Sequence, residues 1–154
     1  MRSDPPPAPA GQTAVRLRLA TAAVIDIALH ARPQPVNARV LAARHGLPPR
    51  HLETVLQALV RHGLLKGVRG PRGGYELARE RRRISVGDIA RAAGCVEEDE
   101  APSAPMAALI EPTIRAAQVA FLSALDAVTV EDLCRQAEVL DAGRRERPIP
   151  HFDI

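Results

Sequence analysis

The residues able to do chemistry are few: two cysteines, Cys95 and Cys134, five histidines, and arginines crowded into the first half of the chain. Two thiols make neither a disulfide framework nor the C-x-x-C pairs of a zinc module. Cys95 precedes the acidic run Glu97 to Glu100, whose charge would raise a thiol's pKa and slow its reactions. Cys134 falls on an apolar helix side with Val130 and Leu133, the place of a small hydrophobe. The histidines show no H-E-x-x-H spacing, and Gly70-Pro71-Arg72-Gly73-Gly74 does not open a helix as a phosphate-cradling loop would. An enzyme is therefore not expected, nor a resident metal. Charge is more informative. Residues 1–83 carry 15 Lys+Arg against 5 Asp+Glu, a charge of +10, and residues 84–154 carry 6 against 13, a charge of −7. Such segregation suits a first half that meets a polyanion and a second half that assembles or senses.

The elements that must carry those arginines follow from spacing. At 154 residues, with 46% hydrophobic, 25% charged and only 2% aromatic residues, the chain has the size of about one mainly α domain. Residues 1–14 form a Pro-rich arm that cannot bury surface, and no signal-peptide apolar stretch or run of ~20 apolar residues is seen, so a cytoplasmic protein without a membrane span is expected. Apolar residues from Val15 to Ala31 predict a first helix, stopped by Pro33 and Pro35. Asn37 predicts the cap of a short second helix ended by Gly46, and Pro48 and Pro49 start a third with Leu52, Val55, Leu56 and Leu59 on one face. Two short helices joined around a glycine read as a helix-turn-helix. The runs Leu64–Arg69 and Tyr75–Ala78 around the Gly/Pro cluster read as a hairpin, hence a wing with Arg69 and Arg72 at its tip. Ser85 with Asp88 caps a fourth helix. A long helix from Met106 to Val128 then spaces Ile110, Ile114, Ala117, Phe121, Leu125 and Val128 by 4, 3, 4, 4 and 3, a near-heptad seam that wants a partner helix. Glu111-Pro112 either kinks this helix or marks its true start. Thr129 and Asp132 cap a last helix to about Ala142, leaving 143–154 as a loose tail. The expected layout is thus an arm (1–14), a winged helix-turn-helix domain (15–94), a connector or sensor loop (95–105), dimerisation helices (106–142) and the tail.

The stretch from Arg16 to Gly94 resembles the Rrf-two family of bacterial transcription regulators, which includes the IscR, NsrR and CymR groups. The resemblance is strongest in GLLKGVRGPRGGYELA and the following ISVGDI, Gly63 to Ile89. It extends by pattern over 106–140. It implies a winged helix-turn-helix homodimer, paired through the long helix and binding an imperfect palindrome in double-stranded DNA near promoters, most simply as a repressor. Carried over position by position, the DNA contacts fall on Arg50, His51, Glu53, Thr54 and Gln57 of the third helix and on Arg69, Gly70 and Arg72 of the wing. Arg69 stands where the family's wing arginine enters the minor groove. Pro48, Pro49 and Arg50 replace the small polar residues common there, so base preference does not carry over.

Iron-sulfur members of the family hold three cysteines in the loop before the long helix; this loop has Cys95 alone. Four controls stay open from the residues: a cluster using Cys95 with non-cysteine ligands, a Cys95 thiol switch, a small ligand, and a partner protein. The expected cofactor is none. A winged-helix module that binds only protein is the rival class, against which stands the placing of arginines on both the third helix and the wing.

Overall fold

A computed structural model of the chain describes residues 11–96 and 105–145. In order these form α1 (Gln12–His30), α2 (Ala38–His45), α3 (Pro49–Arg61), β1 (Leu65–Val68), β2 (Gly74–Leu77), a 3-10 turn (Arg81–Arg83), α4 (Val86–Ala92), α5 (Pro105–Asp126) and α6 (Val130–Arg145). This is the expected mainly α architecture with a two-stranded antiparallel wing.

The core is aliphatic, as a chain without Trp requires. Ala20, Ala23, Val24 and Ile27 of α1 pack with Leu41 of α2, Leu52, Leu56 and Leu59 of α3, and Ile84 and Ile89 around α4. Val130 and Cys134 bring the start of α6 into the same cluster. Local chemistry sets the helix ends. Asn37 Oδ1 accepts the Arg39 N–H at 2.8 Å to start α2, and Gly46, at φ 61°, closes it in the left-handed region that favours glycine. Pro49 occupies the first turn of α3, where its missing N–H leaves nothing unbonded.

The wing pairs Leu65 with Leu77, Lys66 with Glu76, Gly67 with Tyr75 and Val68 with Gly74. It is tied down by a third segment: Val36 and Tyr75 exchange both backbone hydrogen bonds at 2.9 Å. This explains why the wing sequence ends Gly73-Gly74. A Cβ on Gly74 would overlap the Val36 carbonyl, and one on Gly73 would overlap the Val68 carbonyl.

Several boundaries differ from the sequence expectation. α1 begins at Gln12, so residues 12–14 are helical where an arm was expected, because Ala14 is buried against the body. The rest of the arm, 1–10, lies outside the described residues, as do most of the connector loop and residues 146–154 of the tail. α5 starts at Pro105 and runs through Pro112 without a break, so Pro112 neither begins nor ends it. α6 continues to Arg145, past Ala142, with Arg144 and Arg145 placed where cations favour a helix C-terminus.

Candidate nucleic-acid interface

Helix α3 has two faces. Leu52, Val55, Leu56 and Leu59 are buried, while Arg50, His51, Glu53, Thr54 and Gln57 are all exposed, as are Arg69, Gly70 and Arg72 on the wing. A cleft of about 810 Å³ lies between the first turn of α2, α3 and the wing. Glu53, Gln57, Arg69 and Gly70 line it together. Arg72 stands exposed in the turn beyond, and Arg50 on the first turn of α3. His51 and Thr54 lie elsewhere: they line a more apolar groove of about 470 Å³ with Val15, Arg16 and Leu19 of α1. Thr54 Oγ1 also donates to the Arg50 carbonyl at 3.2 Å, which leaves its lone pairs to accept but not its proton to give.

Sequence reasoning missed Arg39, which lines the cleft opposite Glu53 from the first turn of α2. Its position just after the capping Asn37 was the available signal. It also missed what fixes α2. Asp26, buried in α1, meets Arg44 Nη1 at 2.5 Å, His45 Nε2 at 3.0 Å and His30 Nδ1 at 3.2 Å. A buried carboxylate needs such partners, and here two of them come from the last turn of α2. The first helix of the pair is therefore clamped to α1, and α3 is presented on a fixed base.

Charge on the wing is divided. Lys66 pairs with Glu76 across the strands at 3.0 Å, whereas among the described residues Arg69 and Arg72 make no ion pair. The two arginines flank Gly70-Pro71 and precede Gly73-Gly74, a turn with few side chains that suits close approach to a phosphate backbone.

Cys95 is half-buried and packs against the core, its N–H bonded to the Ala90 carbonyl at 2.9 Å. Burial pushes its thiol pKa up, and the Arg16 guanidinium only partly opposes that. The direction is the expected one. Among the described residues its largest cause is desolvation; the acidic run Glu97 to Glu100 lies outside them. Cys134 is buried, and its thiol is pushed up chiefly by the same effect. A cluster needs several thiolate or equivalent donors converging on one point. Among the described residues no group of three or more His, Cys, Asp or Glu side chains could hold a metal ion.

The α5 seam divides along its length. Ile110, Ile114 and Ala117 are exposed, with Leu109 and Val119 beside them, whereas Phe121 and Leu125, and Val128 just past the helix end, are half-buried. From Ala108 to Asp126 this helix has the length and the mean hydropathy, 1.2, to cross a membrane. Glu111 and Arg115, paired at 3.5 Å, sit within that stretch, and each would cost about 3 kcal/mol at a bilayer centre. An exposed apolar helix carrying charges on one edge fits a partner helix better.

The profile of the Rrf2 family, described as iron-dependent transcriptional regulator, matches residues 14–136. The protein Rrf2 of Nitratidesulfovibrio vulgaris is 34% identical over 131 residues, covering 80% of this chain and 87% of that protein. The HTH-type transcriptional regulator IscR of Xenorhabdus nematophila is 31% identical over 142 residues, covering 84% and 82%. Among solved structures, T. potens IscR superposes with a TM-score of 0.62 at 30% identity, covering 89% of this chain and 92% of that one. CymR, the global cysteine regulator of B. subtilis, gives 0.63 at 27% identity over 88% and 98%. With its winged helix-turn-helix architecture and a family match over residues 14–136, the chain belongs to the Rrf2 family of DNA-binding transcriptional regulators.

Proposed function

We infer that this regulator is a cytoplasmic homodimer that represses transcription by occupying a palindromic operator. In this reading α3 enters the major groove with Arg50, His51, Glu53, Thr54 and Gln57. The wing lays Arg69, Gly70 and Arg72 along the adjacent minor groove, and the exposed part of α5 pairs with a second copy. The observation that carries it is the one cleft lined by Glu53, Gln57 and Arg69, where side chains able to pair with base edges and a guanidinium with no ion pair among the described residues face one concavity. Arg39 joins them as a phosphate contact. No enzymatic step is assigned. Control is cluster-free, through a small ligand, a partner protein or oxidation of Cys95, and the raised, half-buried thiol makes that oxidation slow.

Footprinting of the purified protein on the DNA upstream of its own gene tests this. Two protected half-sites about one helical turn apart, roughly 34–36 Å, are expected. Binding no tighter than to unrelated DNA at physiological salt would leave the winged fold serving a protein partner instead. The visible absorption of protein purified without oxygen tests the cluster-free assignment; a band abolished in Cys95→Ser would overturn it.

A further inference from the structure

Away from the cleft, four residues meet where the winged domain joins α5. The Ser85 N–H donates to Asp88 Oδ2 and the Asp88 N–H donates to Ser85 Oγ, both at 3.0 Å, capping α4 reciprocally. One turn on, Arg91 Nη1 and Nη2 donate to Asp126 Oδ1 and Oδ2 at 2.8 and 2.6 Å. Ser85 Oγ adds a third donor to Asp126 Oδ1 at 3.1 Å. Gly87 makes room for that carboxylate, because a Cβ there would fall on Asp126 Oδ1. Backbone bonds brace the same joint: the Val86 N–H donates to the Val128 carbonyl at 2.8 Å and the Val130 N–H to the Ile84 carbonyl at 2.9 Å.

Arg91 and Asp126 are 44% and 41% exposed, and exposed ion pairs add little stability. A two-pronged contact with a third donor and a side-chain-free residue beneath it does something else: it fixes direction. Asp126 is the last residue of α5, and α4 packs with α1 and α3 in the winged domain. A tilt of about 10° here, over the roughly 33 Å length of α5, moves its far end by roughly 6 Å. That exceeds the roughly 3.4 Å rise of one base pair.

We propose that the Ser85, Gly87, Arg91 and Asp126 joint holds the two recognition helices of the dimer at one separation, so that Arg91 and Asp126 are positioning residues that set the half-site spacing of the operator. The proposal rests on the DNA-binding homodimer argued above. Its test selects a preferred site from random duplexes with the wild-type protein, then varies the spacer between half-sites by one and two base pairs. Wild type should lose roughly tenfold or more in affinity for each wrong spacer. Asp126→Asn and Gly87→Ala should remain dimers in sedimentation, yet discriminate between spacers by about threefold or less. Glu131→Gln, which breaks the exposed pair with Arg135 at 3.4 Å, should keep the wild-type ratio. A dimeric Asp126→Asn protein with unchanged spacer discrimination overturns the proposal, as does a flattened response in Glu131→Gln. Should Asp126→Asn fail to fold by circular dichroism, Arg91→Lys, which keeps the charge but loses the fork, decides in its place. A wild-type protein that is monomeric, or that selects no paired half-sites, overturns the homodimer reading itself, a result distinct from a spacing preference that survives in the variants.

Discussion

Arg69 and Lys66 show how position changes what a cation does. Lys66 lies in a strand opposite Glu76 and is neutralised there, while Arg69 lies past the strand end with no ion pair among the described residues. An unpaired guanidinium beside Gly70 costs nothing to release when a phosphate or a narrow minor groove arrives. Arg69→Ala should therefore weaken operator binding by ~1–3 kcal/mol, read by fluorescence anisotropy at matched salt. Lys66→Ala, which leaves that arginine in place, should change it by less than about 0.5 kcal/mol. Equal losses in the two variants would mean that net charge, not the wing tip, carries the affinity. Arg39 belongs to the same scale. If it contacts phosphate, Arg39→Ala should lower affinity for specific and non-specific duplexes alike and reduce the slope of log affinity against log salt by about one.

Elements were legible in the sequence wherever a cap or a turn residue announced them. Asn37, Gly46, Ser85 with Asp88, and Thr129 with Asp132 all act as their types and spacing predict. The wing was legible because two β-capable runs flank the Gly/Pro cluster Gly70 to Gly74. What stayed hidden was long-range pairing: Val36 with Tyr75, Asp26 with Arg44 and His45, and Asp126 with Arg91 join residues whose separation leaves no periodic trace. At Pro112 the sequence allowed a kink or a start, and the start is excluded, since one missing hydrogen bond is tolerated within a helix of 22 residues. The exposure of the candidate recognition residues on α3 was legible from spacing, whereas their division between two grooves was not. Gly74→Ala tests the wing tie: the new Cβ must push the Val36 backbone away, costing about 1–3 kcal/mol of stability and speeding amide exchange at Val36 and Tyr75. Unchanged exchange at both amides would show that the bridge is not what holds the wing. The acid limb of stability tests the caps. Asp132 is held below the usual carboxylate range chiefly by the Thr129 N–H at 2.9 Å, and Asp126 by Arg91. A carboxyl lowered in the folded chain stabilises above its unfolded pKa and loses that contribution as pH falls through the folded value. Stability to urea should thus be level from about pH 6 to 8 and fall below about pH 4, with a shallower fall in Asp132→Asn. An identical acid slope in that variant would remove the cap from the account.

For the whole molecule, the question is what covers α5. The winged domain is complete on its own terms, with a buried cluster running from α1 to the start of α6, yet Leu109, Ile110, Ile114 and Val119 stay between 47% and 74% exposed. Side chains of that size, in one helix, form a patch that isolated soluble chains seldom keep. Phe121, at the foot of the seam, is half-buried against its own chain, so Phe121→Asp would mix lost packing with lost pairing. Ile114 separates the two better, because it is 47% exposed. Ile114→Asp should therefore leave the circular dichroism and thermal midpoint of the winged domain within a few degrees of wild type while shifting sedimentation from dimer to monomer. Operator affinity should then fall by tenfold or more at protein concentrations where wild type is saturated, because one α3 reaches only one half-site. If Ile114→Asp stays dimeric, the chains pair through another surface, and the exposed Val139 and Leu140 of α6 become the place to substitute next.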